Sequence, residues 1–263
     1  MEVSGLFNVR ITKKDMLSFE LALSKAITTP KETQVDTDYN YTSALTPPQW
    51  VWSATKSDVK YSNYDLLVAA GFPLWLNEQL KMTPILGFQT SHNSFDVVGL
   101  SGWQEWSYGT KYSIDPDEYA GITVGTYKVD YHQLITGLIF DTTPNKGLSL
   151  YLKTNYLPYV KAKDLDDHLL RNKNMSTNAT GNGYQLEGRI KIQIRKFASG
   201  ATLNWGGSYN MLRITAKGSQ IQKWYGDDPV SDGFDDTGSV SSPIDNTLKL
   251  RQNNIIAFIE YKI

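Results

Sequence analysis

Apolar and polar side chains alternate residue by residue over the segment 184–196. The even positions carry apolar side chains or glycine and the odd positions carry polar ones: Tyr184, Leu186, Gly188, Ile190, Ile192 and Ile194 against Gln185, Glu187, Arg189, Lys191, Gln193 and Arg195. Successive side chains of a strand point to opposite faces, so a period of two predicts a β-strand with one apolar face. This segment alone fits both a soluble sandwich and a membrane barrel.

The same alternation extends over segments much longer than an ordinary strand of about 5–6 residues. These segments are 120–141, 148–163 and 201–224, and residues 254–263 alternate in the same way as a closing strand. Long tilted strands that continue beyond the bilayer are typical of transmembrane barrels. We therefore predict an all-β fold, with residues 1–263 forming a single antiparallel transmembrane β-barrel domain. In this barrel the even apolar positions of 184–196 face lipid, and Glu187, Arg189 and Lys191 face inward.

Short turns and long polar loops alternate between the predicted strands. We expect short turns at 13–15, 76–79, 143–147 and 196–200, and long loops near 30–55, 101–119, 167–182 and 226–246. Outer-membrane barrels have short periplasmic turns and long extracellular loops. The pattern therefore predicts that the long loops lie outside the cell.

Composition excludes several classes of protein. The chain contains no cysteine, which excludes disulfides, thiolate metal sites and cysteine nucleophiles. Its formal net charge of −1 argues against a nucleic-acid partner, because neutralising phosphates takes a surplus of Lys and Arg. No apolar run reaches the roughly 18 residues of a transmembrane helix. Residues 1–5 have neither the basic start nor the apolar core of a signal peptide, and the acidic residues and histidines show no convincing metal-site spacing.

Two acidic clusters about 130 residues apart each follow a strand-like segment. They are Val35-Asp36-Thr37-Asp38-Tyr39 and Asp164-Leu165-Asp166-Asp167-His168. In each cluster titratable side chains stand at i and i+2, on one face of an extended chain. A carboxylate pair facing a carboxylate-oriented imidazole can activate water, as in a hydrolase with neither metal nor covalent nucleophile. Acidic residues after a strand are commonly just solvated, and spacing alone leaves that alternative open.

The remaining candidate groups have simpler interpretations. His168 follows carboxylates at both i−1 and i−2, whereas His92 and His132 fit polar positions in the interior or at the membrane interface. The acidic stretch 227–236 could attract basic substrates or hold a calcium ion. It lacks the spacing of a calcium loop, so we expect a solvated loop.

The two clusters, in this order and on the long-loop side, resemble the motifs of the omptins, outer-membrane aspartyl-type proteases. Residues 35–39 are similar to the family's Val-Asp-x-Asp-aromatic motif, and residues 164–168 to its Asp-x-Asp-x-His motif. The resemblance covers essentially the whole chain. It implies a narrow barrel of ten strands that cleaves between basic residues at its extracellular rim.

The resemblance also implies roles for individual residues. Asp166 and His168 correspond to a catalytic dyad, with His168 as general base toward water and Asp166 orienting the imidazole. Asp36 and Asp38 correspond to the facing carboxylate pair, and one of them can keep a proton because two close carboxylates resist ionising together. Asp164 matches the substrate-binding position that holds the basic residue before the scissile bond.

Three departures from the family pattern affect these expectations. The family's first strand has no counterpart, so we count nine strands and expect a missing N-terminal strand and signal peptide. The family's lipopolysaccharide-binding positions correspond to Phe88, Thr90, His92 and Asp130, which lack the basic pair, so a lipid requirement does not carry over. The loop 41–57 has no clear acid, which leaves the preference after the scissile bond open.

Together these features predict an outer-membrane endopeptidase whose site faces the extracellular side. We expect basic peptides or proteins as substrates, a monomer surrounded by outer-membrane lipid, and no cofactor. A catalytically inactive barrel that serves as an adhesin or structural protein is the second interpretation. A small-solute channel is the third, and it is disfavoured because side chains fill the interior of so narrow a barrel.

Overall fold

The computed structural model describes residues 4–13, 17–26, 31–40, 50–107, 110–145, 147–198, 200–228 and 235–262. For residues 4–13, 26, 31–32, 36–40, 50–52, 106–107, 110 and 262 the description covers the backbone and not the side chain. Residues 14–15 of the first predicted turn and 41–49 of the first predicted loop lie outside the described ranges.

Nearly all described residues lie in twelve β-strands. They are β1 (Ser4–Lys13), β2 (Leu17–Ala26), β3 (Lys31–Asn40), β4 (Trp50–Gly71), β5 (Leu74–Trp75), β6 (Leu80–Ser107), β7 (Thr110–Ile114), β8 (Thr123–Asn145), β9 (Leu148–His168), β10 (Lys173–Lys196), β11 (Thr202–Trp224) and β12 (Ile244–Lys262). A 3-10 turn, Leu169–Arg171, joins β9 to β10. Within the described ranges, no helix has the length and apolar character needed to cross a membrane.

All strands belong to one antiparallel sheet. Its main order is β1-β2-β4-β6-β8-β9-β10-β11-β12, while β3 pairs with β4, and β5 and β7 pair with β6. The main order of the described strands thus contains nine strands, the number that the family resemblance implies when its first strand is absent. β2 and β3 pair with successive parts of the same strand, since Lys25 lies opposite Tyr64 and Lys31 opposite Lys60. β2 and β3 therefore pair with the same edge of β4, β2 along its C-terminal part and β3 along its N-terminal part.

The predicted orientation of residues 184–196 in β10 is confirmed. Ile190, Ile192 and Ile194 are 41%, 40% and 60% exposed on the outer face. On the inner face Arg189 Nη2 lies 3.0 Å from Glu187 Oε1, and Lys191 Nζ lies 3.0 Å from Glu260 Oε2 of β12. Apolar side chains therefore face outward toward lipid, while charged groups of the interior pair with one another.

An ion pair across the interior shows that the sheet curls into a barrel. Lys153 of β9 places Nζ 3.8 Å from Oε2 of Glu20 of β2, and both side chains are largely buried. These strands are four places apart in the sheet, about 19 Å in a flat sheet with a spacing of about 4.8 Å. The two side chains can meet only when the walls face each other, so the antiparallel sheet curls into a barrel.

Side chains fill the middle of the barrel. Ile135 is 1% exposed, Gln133 and Leu157 are 0% exposed, and Asn155 is 2% exposed. They belong to or adjoin one cluster of inward side chains from β6, β8, β9, β10, β11 and β12. The described interior is therefore a packed core beneath the rim.

Strands extend further into the predicted loops than the sequence pattern indicates, and β3 and the start of β4 lie within the predicted loop 30–55. The predicted loop 167–182 reduces to four residues, 169–172, because β10 already begins at Lys173. In the predicted loop 101–119, the end of β6 pairs with β7. Backbone hydrogen bonds stabilise these strand ends where water rather than lipid lies outside, so their sequences need no apolar alternation.

Candidate active site

A β-bulge in β9 determines which side chains of this strand face the interior. Between Leu157 and Val160 the strand has one residue more than either neighbour, since Gly183 and Gly181 pair with these two positions and β8 shows the same shift. Pro158 lies in the bulge, where its missing N–H leaves no gap in the ladder. Odd positions face inward below the bulge and even positions above it.

Above the bulge Asp164, Asp166 and His168 therefore share the inward face. Val160 and Ala162, the inward residues just below them, are 0% exposed. The two carboxylates and the imidazole therefore lie just above the packed interior, near the rim of the barrel. The outward positions between them include Leu165, which is 38% exposed.

Asp166 and His168 form a close pair at the end of β9. Asp166 Oδ2 lies 3.3 Å from His168 Nε2, and the two side chains are 37% and 36% exposed. The distance is that of an ion pair, but Nε2 is buried and has no partner with hydrogen-bond geometry. A small rotation of either side chain would complete that hydrogen bond and fix which ring nitrogen carries the proton.

Two donors hold Asp164 in place. Its Oδ1 accepts the backbone N–H of Thr177 at 2.8 Å, and its Oδ2 accepts the hydroxyl of Tyr127 at 3.2 Å. Thr177 lies opposite Asp164 on β10, and Tyr127 lies opposite Asp166 on β8. The carboxylate is thus fixed in orientation on the inner wall, with lone pairs left for a cationic ligand.

The predicted carboxylate pair lies on a different wall of the barrel. Asp36 and Asp38 belong to β3, where they pair with Thr55 and Ser53 of β4. Three strands, β4, β6 and β8, separate β3 from β9 in the sheet, which places the two clusters across the barrel from each other. The side chains of Asp36 and Asp38 lie outside those described, so their distance to His168 stays a prediction.

The acidic stretch after β11 differs from the expected solvated loop at one residue. Asp228 has a side chain only 3% exposed, and its Oδ2 lies 2.7 Å from Nη2 of Arg171. Residues 229–234 lie outside the described ranges. No sequence pattern predicts this pair, because its partners are 57 residues apart and neither belongs to a periodic segment.

Tyr225 contacts Asp167, the residue between the two members of the dyad, on the outer face. Its hydroxyl donates to Asp167 Oδ1 at 3.0 Å. Partial burial and this hydrogen bond raise the pKa of Tyr225 to about 12. The residue between Asp166 and His168 is thereby tied to the segment that follows β11.

His92 and His132 lie on the outer wall, far from the dyad, so the interior alternative for them is wrong. His92 Nδ1 lies 2.7 Å from Asp130 Oδ1, and His132 Nδ1 lies 3.1 Å from the hydroxyl of Thr90. The rings of Tyr64 and Phe88 stack on His92 and His132 respectively. The positions that match the family's lipid site thus adjoin one another on the outer wall, and two of them, His92 and Asp130, pair with each other.

Among the side chains that the structure describes, no group of three or more His, Asp and Glu could hold a metal ion. The titratable groups described on the inward face at the end of β9 are two carboxylates and one imidazole. Such groups can move protons and orient water.

Comparisons with known proteins agree with the barrel. The model of the omptin family matches residues 7–225. Among solved structures, the chain is similar to the outer membrane protease OmpT of Escherichia coli, with a TM-score of 0.66 and 16% sequence identity; the match covers 94% of this chain and 79% of that one. No curated protein sequence gives a significant match. At this identity the structural likeness shows a shared fold.

Proposed function

Because the chain belongs to the omptin family, we propose that it is an outer-membrane protease that cleaves peptides and proteins next to Arg or Lys. The observation that carries the proposal is the Asp166–His168 pair, 3.3 Å apart on the inward face at the rim. The packed interior below it supports a surface enzyme over a solute channel.

In the proposed reaction a water molecule lies between His168 and the Asp36–Asp38 pair. His168 takes a proton from the water as its oxygen attacks the scissile carbonyl carbon. Asp166 orients the imidazole and stabilises its protonated form. One proton shared by Asp36 and Asp38 supports the developing oxyanion. His168 then returns its proton to the leaving amine as the C–N bond breaks, so the residues end as they began.

Asp164 is the proposed acceptor for the basic side chain before the scissile bond. Its fixed carboxylate lies two positions from Asp166 on the same face. A guanidinium or ammonium group would complete its hydrogen bonding with charge assistance. The rim that carries these groups is proposed to face the outside of the cell, where basic peptides are accessible.

The test is cleavage of a quenched fluorescent peptide with two adjacent Arg residues by the protein reconstituted in outer-membrane lipid. We expect His168→Ala and Asp38→Ala each to lower kcat by about 10²–10⁴-fold, the usual contribution of a general base. His132→Ala is the matched control, because it removes an outer-wall imidazole, and it should cleave at the wild-type rate.

Two results would overturn the proposal. One is unchanged cleavage in His168→Ala. The other is no cleavage by a folded wild-type barrel, which would favour the inactive adhesin or structural barrel. Addition of the peptide to intact cells tests the orientation, since only an outward-facing site can cleave it there.

A further inference from the structure

A cluster of hydrogen bonds holds the turn after His168 against the segment Tyr225–Asp228. Arg171 donates to Asp228 Oδ2 from Nη2 at 2.7 Å and from Nε at 3.1 Å. Asn172 donates from Nδ2 to the carbonyl of Asp227 at 2.8 Å and accepts the N–H of Tyr225 at 2.8 Å. We propose that Asp228, acting through Arg171, is a positioning residue for the Asp166–His168 dyad. This inference rests on the proposed function for its effect on catalysis.

The turn has little internal stabilisation. It has one 3-10 turn of three residues, and His168 caps its start without a side-chain hydrogen bond. Its last residue, Asn172, has a left-handed backbone with φ 49°, which a non-glycine residue adopts only at a cost. Contacts from outside the turn therefore fix the path of the chain as it leaves His168.

The segment Tyr225–Asp228 also contacts the outer face of the strand end that carries the dyad. Asp167 lies between Asp166 and His168 and points to the opposite face, where it accepts the Tyr225 hydroxyl. The backbone that carries both dyad side chains is thus tied on its outer face at Asp167 and beyond its end at Arg171. The residues Tyr225–Asp228 supply both ties.

Small displacements of this backbone matter because the two side chains of the dyad are barely within hydrogen-bonding distance of each other. Asp166 Oδ2 and His168 Nε2 are 3.3 Å apart without hydrogen-bond geometry. Misplacement of a catalytic group by about 1 Å can cost on the order of 100-fold in rate. A positioning role therefore predicts a loss in kcat with little change in KM.

Asp228 and Arg171 differ in burial, and this difference decides which of the two residues is substituted in the test. Asp228 is 3% exposed and Arg171 is 43% exposed. Removal of the guanidinium would take away the ion pair of a buried carboxylate, which threatens folding. Asp228→Asn instead leaves a cation that water can solvate, and it keeps the size of the side chain.

The experiment compares Asp228→Asn with Asp141→Asn in the full chain reconstituted in lipid. Asp141 pairs with Lys81 at 3.4 Å at the opposite end of the barrel, so its variant removes a cross-strand ion pair away from the dyad. We expect Asp228→Asn to lower kcat about tenfold or more with KM within about threefold, and Asp141→Asn to leave both unchanged. Arg171→Lys keeps the charge but loses the two-point contact, and it serves the same test if Asp228→Asn does not fold.

A second readout does not need protease activity. Diethyl pyrocarbonate modifies neutral imidazoles, and mass spectrometry gives the rate at each of the three histidines. We expect the rate at His168 to change about threefold or more in Asp228→Asn, while His92 and His132 on the outer wall serve as internal references.

The two readouts separate failure of this inference from failure of the proposed function. If the wild type does not cleave, the proposed function fails, yet a changed rate at His168 still supports positioning by Asp228. A His168 rate and a kcat both equal to wild type would overturn the positioning role. An equal loss of kcat in Asp141→Asn would overturn it too, by showing a general effect of lost ion pairs.

Discussion

The hydroxyl of Tyr127 on β8 donates to Asp164 Oδ2 on β9 at 3.2 Å. With the backbone N–H of Thr177 on the other oxygen, the carboxylate is held between two neighbouring strands. Asp164 therefore presents a fixed anion rather than a mobile one, which suits recognition of one cationic side chain.

Asp164→Asn should weaken selection of basic residues. A hydrogen bond to a charged group contributes about 1.5–3 kcal/mol, which corresponds to roughly 10- to 150-fold in kcat/KM. The loss should appear with Arg and Lys peptides and not with a peptide that carries norleucine there. Asp130→Asn on the outer wall is the matched control. Equal losses of kcat/KM on basic and neutral peptides would show that Asp164 does not select basic residues.

Tyr127→Phe should have a smaller effect of the same kind. It removes one donor but leaves the carboxylate and its bond to Thr177, so we expect a loss of about 0.5–1.5 kcal/mol, roughly 2- to 12-fold in kcat/KM for basic peptides. The double variant with Asp164→Asn should lose little more than Asp164→Asn alone. Full additivity of the two effects would contradict the linkage between these side chains.

Ile190→Lys should destabilise the barrel. Ile190 is 41% exposed on the outer face, and a lysine toward lipid costs about 2–4 kcal/mol near the bilayer midplane. The free energy of unfolding in lipid vesicles, measured by denaturant titration, checks this value. Gln193→Lys adds the same charge to the inward face of the same strand and should change stability by less than about 0.5 kcal/mol.

Gly181→Ala tests the close packing opposite the bulge. A Cβ atom at Gly181 would collide with the carbonyl oxygen of Thr215 and lie 2.6 Å from Cα of Ala216, whereas a Cβ at Gly188 meets nothing within 4 Å. We expect Gly181→Ala to cost about 1–3 kcal/mol of unfolding free energy, as in other overpacked sites. Gly188→Ala, in the same strand, is the control. Similar stabilities of the two variants would argue against this close approach.

Tyr225 should titrate at unusually high pH. Its pKa is raised from 10.0 to about 12. The folded state therefore holds the proton more tightly than the unfolded chain, and this contribution to stability is complete below pH 10.0 and lost as the pH rises to about 12. The difference between absorbance titrations of wild type and Tyr225→Phe should show a midpoint near 12. Asp167→Asn should lower that midpoint, and a wild-type midpoint near 10.0 would contradict the contact.

The sequence predicts the barrel well where lipid imposes a pattern. In β10 the alternation from Tyr184 to Arg195 specifies both the strand and its orientation, because the outer face must be apolar. Residues 173–182 of the same strand show no such pattern. Their strand is stabilised by backbone pairing near the rim, which selects no particular side chain, and it was therefore predicted as loop.

At the candidate site, the sequence predicts which side chains of one strand lie close together, but it does not predict contacts between residues far apart in the chain. The i, i+2 spacing of Asp166 and His168 already implies one face. It does not reveal that Asp228 is buried against Arg171, because that pair depends on how two loops meet. The bulge at Pro158 escapes prediction too, since a proline in a strand also fits an edge position.

The bulge at Pro158 lets β9 lose one residue without turning its acidic side chains to the other face. With one residue fewer at the bulge, β9 would match the residue count of both neighbouring strands, and Asp164, Asp166 and His168 would still face inward. Loss of a second residue would reverse the alternation, so the carboxylates would turn toward the surroundings of the barrel and Leu165 would turn into the rim. The first deletion in this strand is thus tolerated, and the second is the damaging one.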